Sequence, residues 1–147
     1  MVFFRPNDEF INWLKKYAGG RVVVDVGCGE GCLLYNMMKA EIPCVGVDPY
    51  FPVISDPDRD FETPFGNIVR QKGETSRLIQ NEKALVVIAR PCHNGFCEKV
   101  ILNKGPKTEA LYIGLPRNVE EDLGDLKYEI ISDFEIGDEG EKVYKIL

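Results

Sequence analysis

The chain has 147 residues, 24 of them acidic and 18 basic, for a formal net charge of −6. That length suits one domain over 1–147 and is enough to bury one proper core, and the apolar fraction of 44% and charged fraction of 29% are those of an ordinary folded protein. The acidic balance argues against nucleic acid as a partner, because a nonspecific grip on phosphate backbones needs a basic surface; no apolar run is long enough for a membrane span or a secretory signal core; and five cysteines, an odd number with no disulfide framework, fit a reducing cytoplasm.

In chain order, Asn7 or Asp8 caps a first helix running to about Tyr17, with Phe10, Ile11, Trp13, Leu14 and Tyr17 as its apolar face, and Gly19-Gly20 stops it. Residues 21–26 form a β-branched run without polar alternation, so they read as a strand buried on both faces. A helix over 31–39 follows, with Leu33, Leu34, Met37 and Met38 as core contacts, then a strand over 43–48. The stretch 49–64 holds Pro49, Pro52, Pro57 and Pro64 among acids and aromatics and reads as an ordered loop or lid.

A short strand is expected over 66–71, a short helix over 75–82, and a second fully buried strand over 84–89. A helix over 94–102 leads through Gly105 to a strand over 109–114, and a poor acidic helix spans 117–126. The segments 127–134 and 142–147 are strand-like around Gly137-Asp138-Glu139-Gly140, a composition that predicts an antiparallel hairpin. The fold class is therefore α/β: a three-layer Rossmann-like sandwich whose mostly parallel sheet ends in an antiparallel C-terminal hairpin.

The chemistry concentrates where the first strand ends. Val24-Asp25-Val26-Gly27-Cys28-Gly29-Glu30-Gly31 places glycines at every second position after an acid, and Val45-Gly46-Val47-Asp48 ends the next strand on another acid. Glycines allow a tight turn and let backbone N–H groups come close to a ligand, and a carboxylate at a strand end can accept both hydroxyls of a ribose. The spacing is G-x-G-x-G, whereas dinucleotide sites use G-x-G-x-x-G. Asp25 to Gly31 resembles the first motif of class I S-adenosylmethionine-dependent methyltransferases, D/E-x-G-x-G-x-G, and Val45 to Asp48 resembles that family's next motif. The run of strands and helices is similar to the family plan along nearly the whole chain, with the specific motifs in the first third.

The resemblance implies S-adenosylmethionine as cofactor. It assigns Gly27, Cys28 and Gly29 to the turn under the methionine portion, Asp25 to holding that turn, Asp48 to the ribose, and Pro49 and Tyr50 to the adenine face. Asp25 as a cap for its own loop, Asp48 as a helix N-cap and Tyr50 as lid packing are the plainer alternatives. At the third strand the family's acid for the adenine amino group has no clear counterpart; Gln71 or Glu74 stands nearest.

The fourth strand leads into Arg90-Pro91-Cys92-His93-Asn94, where an acceptor would meet the cofactor methyl, and the Asp/Asn-Pro-Pro-aromatic motif of amine-methylating relatives is missing. His93, the only histidine, has the pKa range for a general base or is a residue bonding local backbone at a helix start. Arg90 either binds an anionic acceptor or pairs with Asp48 or Asp25. Cys92, His93 and Cys97 lack the spacing of a zinc site, so no metal is expected. Two functions follow: methyl transfer to a small-molecule or protein acceptor, or cofactor binding without catalysis as a partner or regulatory subunit. A dinucleotide-dependent protein is the third reading.

Overall fold

In the computed structural model, residues 4–51, 59–92 and 94–147 are described. One seven-stranded sheet organises them: β1 (Val22–Val26), β2 (Cys44–Val47), β3 (Ile68–Val69), β4 (Ala84–Ala89), β5 (Glu109–Gly114), β6 (Tyr128–Ile130) and β7 (Lys142–Ile146), in the spatial order β3-β2-β1-β4-β5-β7-β6. The first five strands pair in parallel; β7 lies antiparallel between β5 and β6. In register, Asp25 stands between Gly46 of β2 and Val87 of β4.

Among the described residues four α-helices cover the sheet: α1 (Asp8–Ala18), α2 (Cys32–Lys39), α3 (Phe96–Asn103) and α4 (Val119–Leu123). Because the central strands are apolar on both faces, each face needs a helical layer. Val23, Leu85, Val87, Leu111 and Ile113 point into one layer with Phe10, Leu14, Leu34 and Met37 from α1 and α2. Their neighbours Val24, Val86, Ile88, Ala110 and Tyr112 point into the other, with Cys97 and Val100 from α3 and Val119 and Leu123 from α4. This is the three-layer mixed sandwich expected from the sequence.

Local chemistry sets the helix ends. The Asn7 side chain accepts the Phe10 N–H at 2.8 Å, and its own amide donates to the Glu135 carbonyl at 2.6 Å, so one residue both caps α1 and ties it to the segment before β7. Gly19 closes α1 in the left-handed region.

Several boundaries differ from expectation. Met38, expected in the core, is 39% exposed, because the buried stripe of α2 is Cys32, Leu33, Leu34 and Met37 and Met38 lies one step round the helix. The third strand keeps only Ile68–Val69, preceded by a 3-10 turn at Phe65–Asn67. The helix expected over 75–82 is instead two 3-10 turns, Gly73–Thr75 and Arg77–Gln80. Here the Ser76 hydroxyl accepts the Leu78 N–H, a side-chain bond that competes with an α-helical turn. The acidic helix over 117–126 shrinks to α4 after a 3-10 turn at Pro116–Asn118. β6 is shorter than the 127–134 run because the Val143 N–H turns to the Ser132 hydroxyl, ending the ladder.

Leu85, the second residue of β4, is fully buried between Val23 of β1 and Glu109 of β5. Leu85→Ala should lower the unfolding free energy by about 2–5 kcal/mol in a urea titration, in one cooperative transition, since the strand belongs to the sheet shared by both layers.

Candidate cofactor site at the carboxyl edge of the sheet

The strand order reverses between β1 and β4, and in an open parallel sheet a ligand crevice opens at that point, beyond the carboxyl ends of the strands. The glycine turn from Gly27 to Gly31 lies there. Gly27, Gly29 and Gly31 all have positive φ, at +75°, +58° and +89°, which explains their spacing at every second position. Gly31 is also a steric requirement, since a Cβ there would meet Pro64 Cδ at 2.8 Å. A Cβ on Gly29 would meet nothing within 4 Å, so the backbone at that point faces open space.

The turn is pinned from below and from the side. The N–H groups of Gly27 and Cys28 both donate to the Val47 carbonyl, at 2.7 and 3.2 Å. The Gly29 N–H donates to Asp48 Oδ2 at 2.9 Å, and Asp48 Oδ1 accepts the Tyr50 N–H at 2.8 Å. Asp48 therefore joins the end of β2 to the glycine turn and to its own following turn. Each carboxylate oxygen has two lone pairs, so the pair of oxygens keeps acceptor capacity for a vicinal diol.

Asp25 lies one strand over and is 2% exposed. Burial, and then the charge of Asp48, push its carboxyl up to about 7. The Cys28 side chain turns away from the mouth, against Gly46, where a Cβ would meet its Sγ at 2.7 Å. Burial raises the thiols of Cys28, Cys32 and Cys44, the latter two to about 11, which keeps them protonated near neutrality.

The other sequence candidates are distributed around this edge. Pro49 is half-buried and its carbonyl accepts the Arg70 guanidinium at 3.4 Å; Tyr50 is 77% exposed, its ring standing out in solvent. The Gln71 side-chain oxygen accepts the Ser76 hydroxyl at 3.0 Å. Arg90 pairs with neither Asp48 nor Asp25: its Nη1 lies 3.2 Å from Oε2 of Glu141, whose side chain is fully buried before β7. Arg90 also has a positive φ of +50°, and its N–H donates to the Ile113 carbonyl at 2.8 Å. His93, and residues 52–58 of the expected lid, lie outside the described residues. In the described part of that loop, Arg59 faces Glu30 of the glycine turn at 3.9 Å, and Asp60 pairs with Arg5 of the N-terminal segment at 2.6 Å.

Two contributors escaped the sequence reading. Phe96, the first residue of α3, places its ring under both backbone turns: a Cβ on Gly27 would lie 3.6 Å from it and one on Gly73 3.3 Å. Gly73 itself sits so close to Val26 that a Cβ would come within 2.2 Å of Cγ1, which leaves no room for a side chain. The second is Glu141, fully buried and paired with an arginine 51 residues away. A lone aromatic after a G-containing loop and a glutamate beside a turn carry no signal in sequence that would have singled them out.

No protein-family model matches the chain, and no curated protein matches it in sequence. Solved structures do match. The chain is similar to the 23S rRNA methyltransferase ErmE with a TM-score of 0.58 at 16% identity, over 99% of this chain and 69% of that one. It is similar to human N-acetylserotonin methyltransferase (ASMT) in complex with SAM with a TM-score of 0.50 at 13% identity, over 94% of this chain and 50% of that one. The chain has the class I methyltransferase fold. It spans half the length of the human enzyme, and at these identities the likeness is one of architecture. Within that fold the glycine turn follows β1 and Asp48 follows β2. Among the described residues no helix is long and apolar enough to cross a membrane.

The buried acid has a measurable consequence. Asp25 has a folded-state pKa above its unfolded value, so the folded protein holds a proton that the unfolded chain releases between about pH 4 and pH 7. Its contribution to stability is therefore most favourable at the acid end of that window and is lost as pH rises toward 7. Asp25→Asn, which mimics the neutral form, should melt several degrees above the parent at pH 8, with the gap closing toward pH 5. A gap that does not change with pH would show that protonation of Asp25 is not its cause.

Proposed function

We propose that the protein binds S-adenosylmethionine at this edge and transfers its methyl group to a small-molecule or protein acceptor. The observation that carries this reading is the Asp48 carboxylate at the end of β2, bonded to the Gly29 N–H of a turn whose outer backbone is open. The donor set fits the cofactor. A diol can use the remaining lone pairs of Asp48, and the buried Asp25 beside the half-buried Asp48 favours a nearby cation over an anion. The first turn of α2, which has no side-chain cap, presents N–H groups suited to a carboxylate. Gly27, Cys28 and Gly29 contribute backbone, and Pro49 and Tyr50 flank the adenine end. Glu74, in the turn that packs on Phe96, joins Gln71 as a candidate for the adenine edge.

When bound, the cofactor supplies an electrophilic methyl on a sulfonium. Transfer to a good nucleophile needs chiefly positioning and exclusion of water. The segment after β4 is where an acceptor would stand, and His93 is proposed there as the base from its sequence position alone. The neighbour named for 23S rRNA keeps nucleic acid among the acceptor classes despite the net charge of −6. The five cysteines, all free, support a reducing cytoplasmic setting.

A second reading is cofactor binding without catalysis, as a partner of another subunit. One observation favours it: the charge of Arg90, at the acceptor position, is already taken by Glu141.

Calorimetry with S-adenosylmethionine, S-adenosylhomocysteine and NAD separates the cofactor readings. S-adenosylhomocysteine should bind and raise the melting temperature; a response to NAD alone would overturn the proposal. Asp48→Ala should weaken S-adenosylhomocysteine binding at least tenfold through two lost charge-assisted bonds, and should also lower stability by about 1–3 kcal/mol because the Gly29 and Tyr50 amides lose their acceptor. Unchanged affinity in a folded Asp48→Ala protein would remove the ribose role. Methyl incorporation into candidate acceptors then divides enzyme from binding protein.

A further inference from the structure

The sheet edge opposite β3 is β6. Among the described residues β6 pairs only with β7, so one of its long sides is open. All three of its residues are exposed. Two of them are apolar, Tyr128 at 37% and Ile130 at 60% exposure, and Leu147 beside them is 66% exposed. An open strand edge that carries exposed apolar side chains is a template for pairing with another chain.

The hydrogen bonds show which backbone groups the edge offers. The Leu147 N–H donates to the Lys127 carbonyl at 2.8 Å, and the Ile131 N–H donates to the Val143 carbonyl at 3.0 Å. Bonded residues alternate along an antiparallel ladder. Lys127, Glu129 and Ile131 therefore turn their backbone toward β7, and Tyr128 and Ile130 turn theirs outward. Side chains alternate as well. Leu126, Tyr128 and Ile130 share the face that α3 and α4 cover: Leu126 packs on the layer that holds Leu123, and the Tyr128 ring meets Tyr144 edge-on at 5.6 Å. Lys127 and Glu129 share the opposite face.

Two such edges can bond only where outward residues oppose outward residues, and charge selects among those registers. An antiparallel pair of β6 strands with its two-fold axis at Tyr128 sets Tyr128 opposite Tyr128 and Leu126 opposite Ile130. It also sets Lys127 opposite Glu129, twice. Moving the axis to Lys127 opposes that lysine to itself, and moving it to Glu129 opposes that glutamate to itself. Like charges directly opposite one another destabilise a sheet. In the favoured register each Glu129 stands between Lys145 of its own β7 and Lys127 of the other copy. An edge guarded against self-pairing would repel in this register too; this one attracts.

We propose that a second copy of this chain adds to β6 in this register and joins the two sheets across an isologous contact. The Tyr128 N–H and C=O bond the same groups of the other copy, and each Ile130 N–H donates to the opposite Leu126 carbonyl. A handful of residues a side is fewer than the roughly 20–30 of a standard interface, so the dimer is weak and reversible. β6 runs in the same direction as β1 to β5, so antiparallel pairing sends the two cofactor edges to opposite ends of the assembly. The inference does not rest on the methyl-transfer reading.

Sedimentation velocity on the full chain, from about 1 to 300 µM, tests it. The parent should pass reversibly from monomer to dimer toward the upper end of that range. Lys127→Glu and Glu129→Lys should each raise the dissociation constant at least tenfold, because either one turns both opposed pairs into like charges. Mixed in equal amounts, the two variants should associate as the parent does, since every opposed pair is again one acid and one base. The Lys127→Glu/Glu129→Lys protein should do so by itself. Recovery in the mixture also shows that neither substitution acts by unfolding the chain. A parent that stays monomeric throughout, as an edge reserved for a strand of another protein would, overturns the proposal. So does a dimer that both single substitutions leave unchanged, or a weakening that mixing does not restore.

Discussion

Both oxygens of Asp48 hold backbone hydrogens, one from the glycine turn after β1 and one from the turn after β2. The order of the carboxyl edge depends on this. A turn with three left-handed glycines has little conformational preference of its own, and glycine loses more freedom on folding than any other residue. Two amides bonded to the Val47 carbonyl and one to Asp48 define it from the neighbouring strand. The packing agrees with the hydrogen bonds: Gly46 makes room for the Cys28 side chain under the turn, and Gly31 makes room for Pro64 over its end. The turn is thus held wherever it meets protein and is open at Gly29.

The electrostatics of the edge follow from the same arrangement. A carboxylate that bonds backbone amides at the surface stands beside an acid that the strand buries completely, and the second acid responds by keeping its proton up to about 7. A cation placed beside the two would favour the ionised form of Asp25, and an anion would oppose it. Two other acids near the edge face arginines, Glu30 with Arg59 and Glu141 with Arg90, while the Arg70 guanidinium bonds the Pro49 carbonyl beside Asp48.

How much of this was legible in sequence depended on whether the cause was local. The runs 84–89 and 109–114 match β4 and β5 to the residue, because a strand buried on both faces is an uninterrupted apolar run with polar ends. The glycine turn was legible because positive φ at Gly27, Gly29 and Gly31 demands glycine at a fixed spacing. The short third strand and the pair of 3-10 turns were not, since Ser76 decides the local hydrogen bonding and Gly73 is fixed by contact with Val26 and Phe96 from distant parts of the chain. Met38 was misplaced by one helical step. The partner of Arg90 was beyond reach for the same reason: position in the fold, not in the sequence, brings Glu141 to it.

That pairing shapes the other half of the edge. A non-glycine residue at φ +50° carries a cost of roughly 1–2 kcal/mol and persists only where its surroundings over-determine it. Arg90 has two such constraints: its N–H is fixed to β5 through Ile113, and its guanidinium is fixed to Glu141. Glu141 is itself built in, since its other oxygen accepts the Glu139 N–H, and Gly137 in the same turn bridges to Pro6 ahead of α1. The direction in which the chain leaves β4 is consequently set by the turn before β7 and by the N-terminal segment. Residues from both ends of the sequence therefore fix the path of the chain after β4 as much as the segment itself does.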